Sequence, residues 1–157
     1  MKTTRLPNTD IDVSVIAMGC WALAGDATWG AQDEAESIAA VHAAMDRQIN
    51  FFDTAEIYGN GLSERRLGAA LKGHRKNVVI ASKPAPGHDA PRDLVAACER
   101  SLKLLQTDYI DVYQLHWPSR EVPLDLTWEA MHKLRDQGKV RALGVCNFGV
   151  GDLGDLL

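Results

Sequence analysis

The alternation of short apolar runs with segments of helical periodicity restricts the fold of this chain more than any other feature. The apolar runs are Val13 to Met18, Ile49 to Phe52, Val78 to Ala81, Tyr109 to Leu115 and Val140 to Val145. Between them, apolar residues recur at helical spacing in Asp33 to Gln48, Ser63 to Leu71, Arg92 to Leu105 and Leu124 to Gln137. Strands that alternate with helices in this way form a parallel sheet covered by helices. The sequence therefore predicts an α/β fold with five parallel strands.

Two architectures fit this alternation. The segment before Val13, with Pro7 to Asp10 in its middle, predicts a small hairpin, and strand-helix units then recur at roughly 30 residues. The length of 157 residues favours a complete doubly wound sheet over a barrel of eight units, which takes about 250 residues. The loop from Gly19 to Gly25 favours the barrel, because no glycine-rich phosphate motif opens directly into a helix. A helical pattern that starts at Gly149 and stops at Leu157 predicts that the chain ends inside a unit.

The composition argues against several classes of partner. The net charge is -4 and the basic residues are scattered, so we expect neither nucleic acid nor a membrane surface as a partner. No apolar run approaches membrane-spanning length and the amino terminus has no apolar signal region. The three cysteines lie far apart, which is typical of a reducing compartment, so we expect a cytoplasmic protein. The histidines lack metal-ligand spacing, and no metal site is expected.

Ionisable residues end three successive strands on the same face. Alternate residues of a strand share a face, so Asp53 continues the face of Phe51, and Lys83 and His116 end the corresponding faces of the next two strands. Active sites of parallel sheets lie at this carboxyl end. Each residue alone has an ordinary explanation as a turn former, a surface charge or a core histidine. Together with Tyr58, five residues after Asp53, they indicate a catalytic site.

These four side chains predict a definite chemistry. Tyrosine titrates near pH 10, and an adjacent ammonium group stabilises the phenolate and lowers the pKa. We expect Lys83 to supply that charge, Asp53 to hold Lys83, and His116 to donate a hydrogen bond to a bound carbonyl oxygen. Tyr58 would then donate a proton to an oxygen that gains charge as hydride reaches its carbon.

Several extended motifs resemble the aldo-keto reductase family in order and spacing. They are FFDTAEIYG with the following Ser63-Glu64 and Leu67-Gly68, then IASK ending at Lys83, DYIDVYQLHWP from Asp108, and GKVRALGVCNF from Gly138. The resemblance implies a TIM-type (β/α)8 barrel that moves hydride between NADPH and an aldehyde or ketone. Residues 1–157 would be a single domain, the amino-terminal portion of the barrel, incomplete, with about five β/α units after the hairpin.

The resemblance also implies roles for individual residues. The catalytic tetrad falls on Asp53, Tyr58, Lys83 and His116, with Tyr58 as general acid. The cofactor-binding positions are Trp21, Asp53, Cys146 and Asn147. Cysteine stands at 146 where the family pattern has serine, which exchanges a hydroxyl for a weaker thiol hydrogen-bonding group, so we expect a weaker hold on the nicotinamide.

An incomplete barrel carries expectations of its own. Open edges at the first and fifth strands would expose backbone and apolar surface, so self-association is expected. The partner at the site would be a small-molecule carbonyl substrate. Two alternatives stay open: a non-catalytic, cofactor-sensing subunit like the family's accessory subunits of potassium channels, and a truncated fragment that is inactive alone. Carbonyl turnover separates the catalytic from the non-catalytic readings.

Overall fold

The computed structural model describes residues 1–156, in which five parallel strands form one sheet in chain order. A separate antiparallel hairpin precedes the sheet and consists of β1 (Thr3–Arg5) and β2 (Asp12–Ser14). The sheet strands are β3 (Met18–Gly19), β4 (Phe51–Asp53), β5 (Val79–Ser82), β6 (Ile110–Leu115) and β7 (Val140–Val145). Each strand pairs in parallel with its predecessor, which confirms the predicted α/β arrangement.

Helices follow the sheet strands, close to the predicted positions. They are α1 (Glu34–Asp46), α2 (Leu62–Ala70), α3 (Pro91–Leu105), α4 (Leu124–Asp136) and α5 (Val150–Leu156), with short 3-10 turns at Trp21–Ala24 and Arg75–Asn77. Asp33 caps α1 by accepting a hydrogen bond from the backbone of Glu36. The last residue of the predicted fifth helix, Leu157, lies outside the described residues. Within residues 1–156, no helix combines the length and apolar character needed to cross a bilayer.

The predicted first strand, Val13 to Met18, is wrong as a single element. Val13 and Ser14 end the hairpin, Ile16 is exposed, and the sheet begins only at Met18. The cause is local hydrogen bonding by Ser14, whose hydroxyl donates to the Ile16 carbonyl and whose backbone N–H donates to Asn50, both at 2.7 Å. Such bonds compete with strand pairing and bend the chain.

The two faces of the sheet bury different sets of residues. Phe52, Ile80 and Tyr113 belong to the large core on the helical side. Phe51, Val79, Ala81 and Val112 pack on the inner face with Ile11 and Val13 of the hairpin. The register sets Asp53 opposite Ala81 and Ala81 opposite Val112, so the predicted alternation of faces is confirmed. The hairpin fills the inner face beside the amino ends of the strands, which leaves the carboxyl ends to polar side chains.

Candidate active site

Lys83 and Asp53 form an ion pair where β4 and β5 end. The Lys83 ammonium donates to the two carboxylate oxygens of Asp53 at 2.9 and 2.8 Å, and to the carbonyl of Thr54 at 2.8 Å. All three ammonium hydrogens are therefore engaged. Lys83 is only 2% exposed. The Asp53 side chain is 33% exposed, so the cation is the buried partner and is fixed in one position.

The loop after β4 returns Tyr58 over this pair. Gly59, Asn60 and Gly61 follow it with φ values of 59°, 53° and 86°, a left-handed run that glycine adopts readily and that asparagine adopts more often than most other residues. At Gly59 a side chain is excluded as well, because a Cβ atom would lie 2.8 Å from the Cβ of Ala24. The tight reversal holds the Tyr58 ring with its centroid 5.3 Å from Lys83 Nζ, within cation–π distance.

The pKa of Tyr58 differs from the prediction. The Lys83 charge lowers it, as expected, but burial of the phenol raises it more, so the net pKa lies above the ordinary value for tyrosine. The prediction of a lowered pKa is therefore wrong for this arrangement. The neighbouring charge can be inferred from the sequence, whereas the larger opposing effect of burial depends on the folded loop. Tyr58 holds its proton at neutral pH.

His116 follows β6 and faces the same space. Its ring centroid lies 6.0 Å from that of Tyr58 at a near-perpendicular angle, and it stacks on Trp117 at 3.7 Å. Burial and the nearby Lys83 charge lower the pKa of His116 to about 4, so the imidazole is neutral at pH 7. Its Nδ1 atom is buried and has no hydrogen-bond partner among residues 1–156. A neutral ring keeps one N–H donor without carrying charge.

Trp21 lies on the other side of Tyr58. Its ring stacks on the phenol with centroids 5.6 Å apart and 16° between the planes. The indole N–H donates to the carboxylate of Asp26 at 2.6 Å, and Asp26 also accepts from the backbone N–H groups of Thr28 and Trp29. Sequence reasoning missed Asp26. The available signal was an aspartate two residues before Thr28, the pattern of a turn closed by a carboxylate.

Cys146 and Asn147 lie directly after β7. Asn147 has a left-handed backbone, with φ of 58°, and its amide donates to the His116 carbonyl at 2.8 Å. The same amide nitrogen lies 3.3 Å from the half-buried Cys146 sulfur. The bond to His116 ties the end of β7 to the end of β6, so the predicted cofactor residues Cys146 and Asn147 lie beside His116.

A cavity of about 430 Å³ joins these side chains. Its lining consists of Trp21, Asp26, Ile57, Tyr58, His116, Trp117, Cys146 and Asn147. Asp53 and Lys83 are not part of this wall and lie behind Tyr58. A second cavity, of about 520 Å³, lies at the amino ends of the strands around Gln48 and Asn77, away from all the predicted site residues. The first has the aromatic walls and few polar groups that are typical of small-molecule sites.

Comparisons with known proteins agree on one family. The family model described as "Aldo/keto reductase family" matches residues 15–156. Aldo-keto reductase YhdN of Bacillus subtilis is 44% identical over 96% of this chain and 48% of that protein. Methylglyoxal reductase YeaE of Escherichia coli is 37% identical over 94% of this chain and 50% of its own length. The chain thus spans about half the length of the curated relatives it matches.

Solved structures give the same result for the fold. A crystal structure of aldo-keto reductase from Klebsiella pneumoniae, in complex with NADPH, matches with a TM-score of 0.85 and 39% identity. The match covers 92% of this chain and 49% of that one. The likeness confirms the predicted barrel type, of which the described residues form five successive strands. The chain belongs to the aldo/keto reductase family.

Proposed function

We propose that this chain carries the catalytic residues of an NADPH-dependent oxidoreductase that reduces an aldehyde or ketone to an alcohol. The observation that carries the proposal is a protonated phenol, Tyr58, in the wall of an aromatic cavity and over a lysine fixed by Asp53. The likeness to a methylglyoxal reductase and to an NADPH-bound structure supports the reaction class and the cofactor. A small carbonyl compound is the proposed partner at the site.

The residues around the cavity fit the nicotinamide end of NADPH. The stacked rings of Trp21 and Tyr58 offer flat apolar surface, and the amide of Asn147 lies beside His116 with hydrogen-bonding groups of the kind that a carboxamide needs. In our proposal Trp21, Asn147 and the weaker-bonding Cys146 hold this end of the cofactor, close to Asp53. Bound NADPH would supply the hydride.

The chain's own side chains would manage the substrate oxygen. His116, neutral at pH 7 and in the cavity wall, donates a hydrogen bond from its ring N–H to the carbonyl oxygen and orients it. Tyr58 donates its proton to that oxygen as negative charge develops. Lys83 then stabilises the phenolate left behind, and Asp53 holds Lys83 in place.

The test combines calorimetry with turnover. NADPH is titrated into the chain and into Tyr58→Phe, and reduction of methylglyoxal is followed in both. We expect saturable binding in both proteins and a turnover loss of roughly 10²–10⁴-fold in the variant, because the general acid is gone. Tyr109→Phe is the matched control, since that ring lies under Arg75, and it should leave turnover unchanged.

Each other outcome overturns part of the proposal. Undiminished turnover in Tyr58→Phe would remove Tyr58 from the role of general acid. NADPH binding without any turnover in the unaltered chain would favour the cofactor-sensing subunit. Absence of NADPH binding would mean that residues 1–157 do not form a usable cofactor site and would favour the inactive fragment.

The proposal includes an assembly and a location. We infer that residues 1–157 form one domain, the amino-terminal portion of the barrel, which self-associates through β3 and β7 at the two edges of the sheet. Sedimentation of a compact monomer at all concentrations would contradict this. We also infer a cytoplasmic location, where the free Cys20, Cys98 and Cys146 stay reduced.

A further inference from the structure

Two buried side chains of the first turn of α2, Ser63 and Glu64, contact the side-chain hydroxyls of residues adjacent to Asp53 and Lys83. Both are 0% exposed, and neither lines the cavity. One contacts the residue after Asp53 and the other contacts the residue before Lys83. Buried polar side chains are rare unless they have hydrogen-bond partners, so the partners of Ser63 and Glu64 indicate why these residues are buried.

Ser63 acts on the strand that carries Asp53. Its hydroxyl donates to the Cys20 carbonyl at 2.7 Å, which uses its single hydrogen. The Thr54 hydroxyl, 2.9 Å away, must therefore be the donor to Ser63. The backbone carbonyl of the same Thr54 accepts one of the three Lys83 hydrogen bonds. Thr54 therefore links α2 to the ammonium group, with one hydrogen bond at its hydroxyl and another at its backbone carbonyl.

Glu64 acts on the strand that carries Lys83. One carboxyl oxygen accepts from the Ser82 hydroxyl at 2.6 Å, on the residue immediately before Lys83. The second oxygen is buried without a hydrogen-bond partner among residues 1–156, as is the hydroxyl of Ser101. Burial raises the pKa of Glu64 to about 7. The Glu64 carboxyl group thus lies in a core that disfavours its ionised form, and there it accepts a hydrogen bond from Ser82.

We propose that the first turn of α2 is a positioning element for the Asp53–Lys83 pair, in which Ser63 acts through Thr54 and Glu64 acts through Ser82. The two contacts fix the helix relative to β4 and β5 at once. A shift of Thr54 would move an acceptor of the Lys83 ammonium group, and a shift of Ser82 would move Lys83 itself. All three ammonium hydrogens are already used in hydrogen bonds of 2.9 Å or less. This inference rests on the proposed function in one respect, namely that the Asp53–Lys83 pair serves catalysis.

The Thr54 hydroxyl gives the sharpest test. Thr54→Val keeps the shape and removes the donor, whereas Thr54→Ser keeps the donor and removes a methyl group. Exchange of the Lys83 ammonium hydrogens with water is followed by nitrogen-15 NMR of the full chain. We expect exchange about tenfold faster in Thr54→Val, the effect of losing one interior hydrogen bond, and near the unaltered rate in Thr54→Ser.

The Glu64 contact has a parallel pair of variants. Glu64→Met replaces the acceptor with an apolar side chain of similar size and should speed exchange of the Lys83 ammonium hydrogens. Glu64→Gln retains an oxygen that can accept from Ser82, so its exchange rate should stay near that of the unaltered chain. Ser82→Ala breaks the same bond from the other side and replaces Glu64→Met if that variant fails to fold. In each loss variant we expect kcat to fall more than KM rises, because the pair acts on the transition state.

Thr127→Val is the control for a merely structural hydroxyl. Thr127 is 1% exposed in α4 and donates to the Asp89 carbonyl, away from the ion pair. It should lower stability without changing Lys83 exchange. The proposal is overturned if Thr54→Val and Thr54→Ser exchange alike, or if Thr127→Val changes Lys83 exchange equally. Failure of the proposed reductase activity would leave this NMR result unaffected, so the two failures are distinguishable.

Discussion

Each end of the sheet carries ion pairs around one buried charge, and the two arrangements are built in opposite ways. At the carboxyl end the cation, Lys83, is buried and its carboxylate is partly exposed beside the Tyr58 cavity. At the amino end the carboxylate of Asp111 is 1% exposed and accepts from Arg75 and Arg141, both at 2.7 Å, and from a backbone N–H at 2.9 Å. In barrels of this type the carboxyl end carries catalysis and the amino end carries stability.

The difference shows what burial of one partner achieves. Asp111 gathers charged donors from the Arg75–Asn77 turn and from β7, so its bonds hold separate elements together. Lys83 is held by residues of a neighbouring strand and the loop that follows it, and its charge reaches the Tyr58 ring. We therefore expect substitutions at the amino end to change the free energy of unfolding and substitutions at the carboxyl end to change turnover.

The largest expected effect is on turnover in Lys83→Met. Loss of the ammonium group removes the charge that stabilises the Tyr58 phenolate, so turnover should fall roughly 10²–10⁴-fold. The free energy of unfolding should fall by about 1–2 kcal/mol, because the buried Thr54 carbonyl loses its donor while the Asp53 carboxylate is already partly hydrated. Lys139→Met, which removes a surface partner of Glu99, is the control and should leave turnover unchanged. Steady-state kinetics and urea unfolding measure the two effects.

Asp111→Asn should give the reverse result. The substitution keeps the shape but leaves two arginines without their buried counter-charge, so the free energy of unfolding should fall by roughly 3 kcal/mol. NADPH affinity should stay within about twofold of the unaltered chain, because the cavity lies at the other end of the strands. A stable variant that has lost NADPH binding would contradict the division between the two ends.

The pH dependence of stability tests the neutral His116. Its folded pKa of about 4 lies below the unfolded value of 6.5, so the unfolded chain binds a proton first as the pH falls. This contribution to stability is present above pH 6.5 and is lost as the pH falls towards 4, at a cost of roughly 3 kcal/mol. His116→Gln should flatten that part of the curve. His132→Gln should retain it, because His116 remains in place. Urea unfolding across this pH range provides the measurement.

The smallest effect on stability should come from a solvent-exposed ion pair. Glu129 and Lys133 pair at 2.8 Å on the surface of α4, with side chains about two-thirds exposed. Lys133→Met should lower the melting temperature only marginally, as expected for a solvent-exposed pair four residues apart in a helix. Thermal unfolding would detect the shift. A loss as large as that of Asp111→Asn would mean that burial does not explain the contrast.

The sequence is sufficient for properties that depend on local periodicity. Side chains alternate strictly along a strand, so the shared face of Asp53, Lys83 and His116 follows from their positions in the sequence alone. The Val13 to Met18 run is harder to interpret, because an apolar composition does not reveal that Ser14 bends the chain. The contacts of Asp26 with Trp21 and of Ser63 with Thr54 join segments that meet only after folding, so the sequence does not reveal them. The net pKa of Tyr58 depends on the balance of burial and charge, whose magnitudes come only from three-dimensional distances.

The order of the strands bears on how the chain acquires its structure. Each strand from β3 to β7 pairs with the one before it, so a growing chain can add every new unit to a completed neighbour without waiting for distant sequence. The contact of Asp10 with Arg141 spans 131 positions and is of a different kind. It can form only after β7 has emerged, so the hairpin would become fixed to the far edge of the sheet late in synthesis.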